Sequence, residues 1–180
     1  IKVEPTRFTL RANNAMRVKY TINVPPEGRG GRYCAVFFEV AAPYMEKGGF
    51  QSRSRVRLGS ILAVTVKGAD AYKAQLKSLK MNVGKENLTA SFVVRNPGNI
   101  LIRPKGEFAV MDKDGAVIAK KDANPANGGV LPSTSRSFSA EWKRDELNLE
   151  KGKDYVLQVT LDYGGESLLG GQAQVKLTDG

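Results

Sequence analysis

The stretch Tyr155-Val156-Leu157-Gln158-Val159-Thr160-Leu161-Asp162-Tyr163 alternates between large apolar side chains and a second, more polar set. Successive side chains of a strand point to opposite faces of its sheet, so this alternation predicts a strand with one face toward a core. Residues 16–24 have the same period. Neither half of the chain shows the long 3.6-residue apolar spacing of an amphipathic helix. The sequence therefore predicts an all-β protein.

Residues 69–180 carry further rows of alternating apolar side chains, separated by turn signals about every 8 to 12 residues, a spacing typical of a β-sandwich. The rows are Leu88, Ala90, Phe92 and Val94; Phe108 and Val110; Phe138, Ala140 and Trp142; and Ala173, Val175 and Leu177. Asp112-Lys113-Asp114-Gly115 predicts a hairpin turn and not a calcium loop, because the later Glu ligand is missing. This segment is predicted to be an immunoglobulin-like β-sandwich, in which Tyr155 stands where such domains place a tyrosine corner.

Residues 1–68 are predicted to form a separate, abbreviated β-sandwich domain that ends near Lys67-Gly68-Ala69-Asp70. Strands are expected at its start (2–3, resuming at 8–10), at 16–24, at 33–42 and at 56–66. Pro5 favours an edge position for the first of them, because Pro cannot donate to the ladder. Loops are expected at 25–31 and 45–54, where Gly and Pro or Gly-Gly interrupt the alternation. The predicted fold is thus two immunoglobulin-like sandwiches, the first abbreviated.

Chemically reactive motifs are missing from the sequence. The chain has no His and a single Cys, Cys34, which lies in an apolar strand and is predicted to be a small core residue. The glycine clusters match neither a dinucleotide fingerprint nor a phosphate loop. We expect no enzyme activity, no catalytic residue, no metal and no cofactor. An enzyme with an unrecognised pair of carboxylates remains a third alternative.

Positive charge is concentrated in the first segment. The net charge is +10, and residues 1–68 hold 12 Lys and Arg against 4 Asp and Glu. Alternation places Arg53, Arg55 and Arg57 on one strand face, where guanidinium groups suit carboxylate or phosphate. A solvated strand face and a site for an anionic cell-surface polymer are both open interpretations. The scarcity of aromatic residues nearby argues against nucleic acid.

Two stretches of the first segment resemble the PapD-type periplasmic pilus chaperones. They are Val3-Glu4-Pro5-Thr6-Arg7-Phe8-Thr9-Leu10, followed by the strand Tyr20-Thr21-Ile22-Asn23-Val24, and Arg55-Val56-Arg57-Leu58-Gly59-Ser60-Ile61-Leu62-Ala63-Val64-Thr65-Val66. The second resembles the last strand of the N-terminal domain in that family. Val94-Arg95-Asn96-Pro97-Gly98-Asn99 and the stretch 130–136 resemble immunoglobulin-like domains attached to chaperone-like envelope proteins.

The resemblance implies a bacterial envelope protein, periplasmic or extracellular, that binds subunits of a pilus or surface fibre. In the family an Arg of the first strand and a Lys of the last strand anchor the subunit's C-terminal carboxylate, which implies Arg7 and Lys67 here. An edge strand is lent to the subunit through backbone hydrogen bonds and apolar side chains. Val64 and Val66, with Ile61 or Leu62, would form that row. No apolar run approaches the roughly 20 residues of a membrane span.

Overall fold

The computed structural model describes residues 1–41, 45–47, 50–52, 55–68, 70–147, 149–150 and 152–176. Within these residues the chain consists of antiparallel strands and one 3₁₀ turn, Arg144–Glu146. The all-β prediction is confirmed. Arg53 and Leu177, both named in the sequence analysis, lie outside the described residues.

The strands before residue 68 pair into two-stranded antiparallel ribbons. They are β1 (Lys2–Glu4), β2 (Lys19–Thr21), β3 (Gly31–Ala41), β4 (Met45–Lys47), β5 (Phe50–Ser52) and β6 (Arg55–Thr65). β1 pairs with β2, β4 pairs with β5, and β3 pairs with β6 along its full 11-residue length. The β3–β6 ribbon is therefore the dominant element of the first segment.

Three predictions for this segment were wrong in detail. The strand expected at 16–24 is reduced to Lys19–Thr21, and no strand forms at 8–10. A strand needs a partner ladder, and β1, which pairs with β2, is only three residues long. The stretch 45–54 was expected to be a loop, yet it contains β4 and β5. Their register pairs Lys47 with Phe50 across an intervening Gly-Gly, a dipeptide typical of tight hairpins.

In the part of the chain after residue 70 that the structure describes, seven strands form two sheets. They are β7 (Gln75–Val83), β8 (Asn87–Arg95), β9 (Lys105–Asp112), β10 (Val117–Asp122), β11 (Ser135–Lys143), β12 (Asp154–Asp162) and β13 (Leu169–Lys176). One sheet has the order β11-β8-β7 and the other the order β10-β9-β12-β13. This is the immunoglobulin-like β-sandwich that the sequence predicted. The boundary between units at 1–68 and 69–180 stays a prediction.

The core lies between these two sheets. The inward rows of β8 and β12 alternate strictly between buried and less buried positions. At the centre, Phe92 stacks on Phe138 with ring centroids 5.0 Å apart and meets Phe108 edge to face at 5.4 Å. Trp142 closes the cluster against Phe108 at 6.2 Å. Aromatic pairs of this geometry contribute beyond the area they bury. The predicted rows therefore supply the aromatic centre of the core, whereas buried Ile102 and Val130 lie outside those rows.

Two local motifs of the sandwich match the sequence analysis. The hydroxyl of buried Tyr155 accepts a hydrogen bond from the backbone N–H of Glu150 at 2.7 Å, which is the contact of a tyrosine corner. Between β9 and β10, Asp112 Oδ1 accepts from the N–H groups of Asp114 and Ala116, both at 2.9 Å. Gly115 has φ +84°, a conformation that favours glycine. The predicted hairpin turn is confirmed.

Candidate functional site

The base of the β3–β6 ribbon is fixed against the sandwich. The backbone N–H of Gly31 donates to the Asn99 carbonyl at 2.7 Å, and the N–H of Leu101 donates to the Tyr33 hydroxyl. Gly30 has φ +66°, and a Cβ there would lie 2.5 Å from the Asn99 carbonyl oxygen. A residue with a side chain would therefore push the two parts of the chain away from each other.

One contact shows which residues of β6 direct their backbone polar groups toward β3. In this contact the N–H of Val66 donates to the Gly30 carbonyl at 3.1 Å. Antiparallel strands alternate between residues whose polar backbone groups face the partner strand and residues whose groups face away. Val64 and Leu62 therefore direct their N–H groups to β3. Ala63 and Ile61 direct theirs to the outer edge of β6.

The two outer edges of the ribbon differ. On β3, the outward N–H of Gly31 is already bonded to Asn99. Within the described residues β6 pairs with β3 alone. Its outer edge is a row of backbone donors and acceptors available to another strand, as in any unprotected sheet edge. Within the described residues, the outer edge of β6 is thus open along its full length, whereas the outer edge of β3 is occupied at its base.

Residues that lie opposite each other in the register share a face of the ribbon. The face that we call the apolar face is formed by Arg32, Cys34, Val36, Phe38, Val40, Val56, Leu58, Ser60, Leu62 and Val64. The mixed face is formed by Tyr33, Ala35, Phe37, Glu39, Arg55, Arg57, Gly59, Ile61, Ala63 and Thr65.

Large apolar side chains are open to solvent on both faces. Leu58 on the apolar face is 64% exposed, and Phe37 and Ile61 on the mixed face are 65% and 81% exposed. Contiguous exposed apolar surface of this kind marks sites of interaction with other molecules. Phe37 and Ile61 are of residue types that favour strands, and both are exposed to solvent on the mixed face.

The structure brings together two of the three arginines that the sequence singled out. Arg55 and Arg57 lie on the mixed face and both contact the carboxylate of Glu39: Arg57 Nε lies 2.7 Å from Oε2, and Arg55 Nη1 lies 3.2 Å from Oε1. The hydrogen bond from Arg57 lowers the pKa of Glu39 below its ordinary value, and the charges of Arg57 and Arg55 act in the same direction. Sequence reasoning missed Glu39, which only the hairpin register places opposite Arg57.

The register shows which side chains of the predicted donated row share a face of the ribbon. Leu62 and Val64 lie on the apolar face, whereas Ile61 lies on the mixed face. Val66 follows β6 directly, and with Leu62 and Val64 it lines a cavity. The sequence left Ile61 and Leu62 as alternatives, and the structure groups Leu62 with the two valines.

Arg7 and Lys67 lie in different surroundings. Arg7 follows β1 and borders a shallow depression formed by residues 1–7. Lys67 is exposed in the turn after β6 and borders neither this depression nor the cavity beside Val64. In the part of the chain that the structure describes, neither side chain makes a hydrogen bond or an ion pair. Their anchoring role stays a prediction.

The cavity beside Val64 was not foreseen from the sequence. It has a volume of about 280 Å³ and lies between the base of the ribbon's apolar face and the segment that contains Ile22, Val24 and Pro25. A turn closed by the hydrogen bond from Gly28 N–H to the Pro25 carbonyl, at 2.9 Å, forms one wall. The Pro25-Pro26-Glu27-Gly28 signal predicted this turn but not what packs against it.

Among the described residues, no three His, Cys, Asp or Glu side chains are placed to hold a metal ion. Within the same residues no helix has the length and apolarity needed to cross a membrane.

No family model and no curated protein matches this chain. Similar solved structures include two of β-glucosidase 3B from Thermotoga neapolitana, one in complex with glucose and one with α-D-glucose. Each is 14% identical with a TM-score of 0.37, and the similar region covers 59% of this chain and 16% of that enzyme chain. The chain therefore spans a small part of that enzyme, and a likeness of this degree does not bear on function.

Proposed function

We propose that this chain is a non-enzymatic protein of the bacterial envelope that binds a protein subunit of a pilus or surface fibre by strand pairing along the β3–β6 ribbon. The observation that carries the proposal is the combination of an unpaired β6 edge with exposed apolar side chains on the same strand. Leu58 and Ile61 of β6 are mostly exposed on opposite faces, so neither face of the strand is covered at these positions.

The mechanism is the addition of a strand to a sheet edge. Backbone groups of Ala63, Ile61 and Gly59 would pair with an extended segment of the subunit, and this pairing supplies affinity that is independent of the subunit's sequence. Alternate side chains would enter apolar positions on the subunit and supply specificity. The tight base of the ribbon, held by Gly31 and Tyr33, favours this mode because a fixed edge loses little conformational freedom on binding.

The place of action that we propose is the periplasm or the cell exterior, where pilus and fibre subunits are assembled. This part of the proposal rests on the resemblance of the first segment to PapD-type chaperones. Arg7 and Lys67 remain the residues proposed to anchor a subunit carboxylate.

The alternative is a structural or adhesive module that binds anionic cell-surface polymer through Arg53, Arg55 and Arg57. Arg55 and Arg57 do share one face, with side chains 57% and 62% exposed. Glu39 lies between them and offsets part of their charge. Exposed ion pairs and exposed binding charges are both screened by salt, which makes this alternative distinguishable.

The test is capture of envelope components on the immobilised chain in low salt and in about 0.5 M salt, where exposed charges are strongly screened. Strand pairing predicts that the same protein subunit is retained in both. It also predicts retention by a variant with Arg53→Gln, Arg55→Gln and Arg57→Gln. Capture of anionic polymer alone, lost in high salt and lost in the variant, would establish the alternative instead.

A further inference from the structure

We propose that the cavity between the ribbon base and the Pro25–Gly28 turn is a binding site for a single-chain carboxylate, an anion with one acyl chain. This inference does not require strand pairing at the outer backbone edge of β6, although Leu62, Val64 and Val66, which line the cavity, are also the residues predicted as the donated row. It rests on the side chains that form the cavity's walls, on the charges among them and on the cavity's volume.

Most of the walls are formed by aliphatic side chains from two separate parts of the chain, and Asn23 and Tyr33 are the uncharged polar residues among the described lining. Leu62, Val64 and Val66 come from the end of β6, and Ile22, Val24 and Pro25 lie on the other side. All six retain some exposure, so the space opens to solvent. An acyl chain placed there would gain about 25 cal/mol for each Å² of apolar surface removed from water.

Among the described residues, the charged side chains that line the cavity are those of two arginines, Arg29 and Arg32, and no Asp or Glu of this part of the chain lines it. Arg32 Nη1 donates to the carbonyls of Arg29 and Gly31 at 3.1 and 3.2 Å, which holds its guanidinium against the adjacent backbone. Within the described residues the Arg29 side chain makes no ion pair or hydrogen bond. Its guanidinium is therefore available for a bidentate contact with a carboxylate.

The volume and polarity of the cavity determine which class of ligand fits it. A volume of about 280 Å³ is just below the range of about 300 to 1,000 Å³ that drug-sized ligands occupy, so it suits one short chain better than a sterol or a two-chain lipid. A peptide would bring backbone amides next to aliphatic walls, where each unpaired amide carries a desolvation cost. An acyl chain has no such groups, and its single charge would lie at the arginines.

Cys34 provides a reporter inside the site. It is the single cysteine of the chain, it is partly buried, and it lines the cavity opposite Leu62. An occupant of the cavity would shield its thiol. The rate of alkylation by a neutral maleimide therefore measures occupancy directly in the full chain.

The experiment compares this rate with decanoate, with decanol and without either. Decanoate should slow alkylation by about tenfold at saturation, and decanol, which lacks the charge, should need about tenfold more ligand, a factor equivalent to about 1.4 kcal/mol. Arg29→Gln should raise the decanoate concentration needed by a similar factor, whereas the control Arg103→Gln, an exposed arginine of the sandwich, should not.

Val64→Phe tests the cavity itself, because the larger side chain fills it, and calorimetry should then detect no decanoate binding. Circular dichroism on each variant confirms that the fold is kept. The proposal is overturned by equal protection from decanoate and decanol, by unchanged protection in Arg29→Gln, or by no protection at all. Protection by a short apolar peptide but not by decanoate would equally overturn it and assign the cavity to a protein segment.

Discussion

Val66 donates its backbone N–H to the carbonyl of Gly30 at 3.1 Å, and this bond sets the direction of every polar backbone group along β6. Val64 and Leu62 bond inward to β3, while Ala63 and Ile61 face outward. A proline at an outward position removes a donor from the open edge alone. A proline at an inward position removes a bond that holds the ribbon together.

The first prediction concerns the ribbon by itself. Ala63→Pro should leave the β3 amides protected from hydrogen exchange, whereas Val64→Pro should remove that protection, because Val64 donates its N–H to β3 and Ala63 does not. Exchange measured by NMR at the amides of Cys34 and Val36 separates the two variants. Equal loss of protection in both variants would show that the inward-facing and outward-facing residues of β6 were assigned incorrectly from the Val66 hydrogen bond.

The second prediction concerns the pH dependence of Glu39. Its pKa is lowered mainly by the hydrogen bond from Arg57, so the charged carboxylate contributes stability above the ordinary Glu pKa of about 4.3. That contribution should be lost as the pH falls through the lowered value. An NMR titration should show the pKa of Glu39 rising in Arg57→Gln and rising less in Arg55→Gln. A pKa of Glu39 that is the same in all three proteins would contradict the contacts of Glu39 with Arg57 and Arg55.

A pair of Phe→Ala changes separates the core from the exposed surface. Phe92→Ala removes a fully buried ring that contacts Phe108 and Phe138, and it should lower the free energy of unfolding by about 3 to 5 kcal/mol. Phe37→Ala changes a ring that is 65% exposed and should leave stability nearly unchanged. Thermal unfolding measures both. A large loss for Phe37→Ala would mean that the ribbon surface is covered in solution.

The tyrosine corner yields a prediction for a single hydroxyl. Tyr155→Phe removes the acceptor for the Glu150 N–H and should reduce the free energy of unfolding by about 1 to 3 kcal/mol. Tyr163→Phe is the matched control at the other end of β12. Urea denaturation of the two variants gives the comparison, and equal midpoints would show that the Tyr155 hydrogen bond contributes nothing.

The period-2 pattern was sufficient to predict the sandwich. The alternating rows around Phe92 and Leu157 lie in long strands with one buried face, and the Asp112 turn is encoded by adjacent residues. The candidate site was less predictable because it depends on pairing between distant residues. Glu39 meets Arg57 only through the β3–β6 register, and the cavity forms only where the 22–28 segment lies beside Val64.

The strand boundaries in the first segment could not be predicted from the local sequence either. The alternation at 16–24 is as regular as that of β12, yet only Lys19–Thr21 finds a partner strand. Alternation describes how a strand would present its side chains, and it does not specify the partner that the backbone requires. The same reasoning explains why the open edge of β6 is visible only in the structure.

The most direct test of the account is capture of fibre subunits from an envelope extract by three immobilised proteins: the unchanged chain, Ala63→Pro and Arg55→Gln. Mass spectrometry identifies what is bound in about 0.5 M salt, where exposed charges are screened. The account predicts that the unchanged chain and Arg55→Gln retain the same subunit and that folded Ala63→Pro loses it. Retention of that subunit by folded Ala63→Pro would contradict strand pairing at the β6 edge.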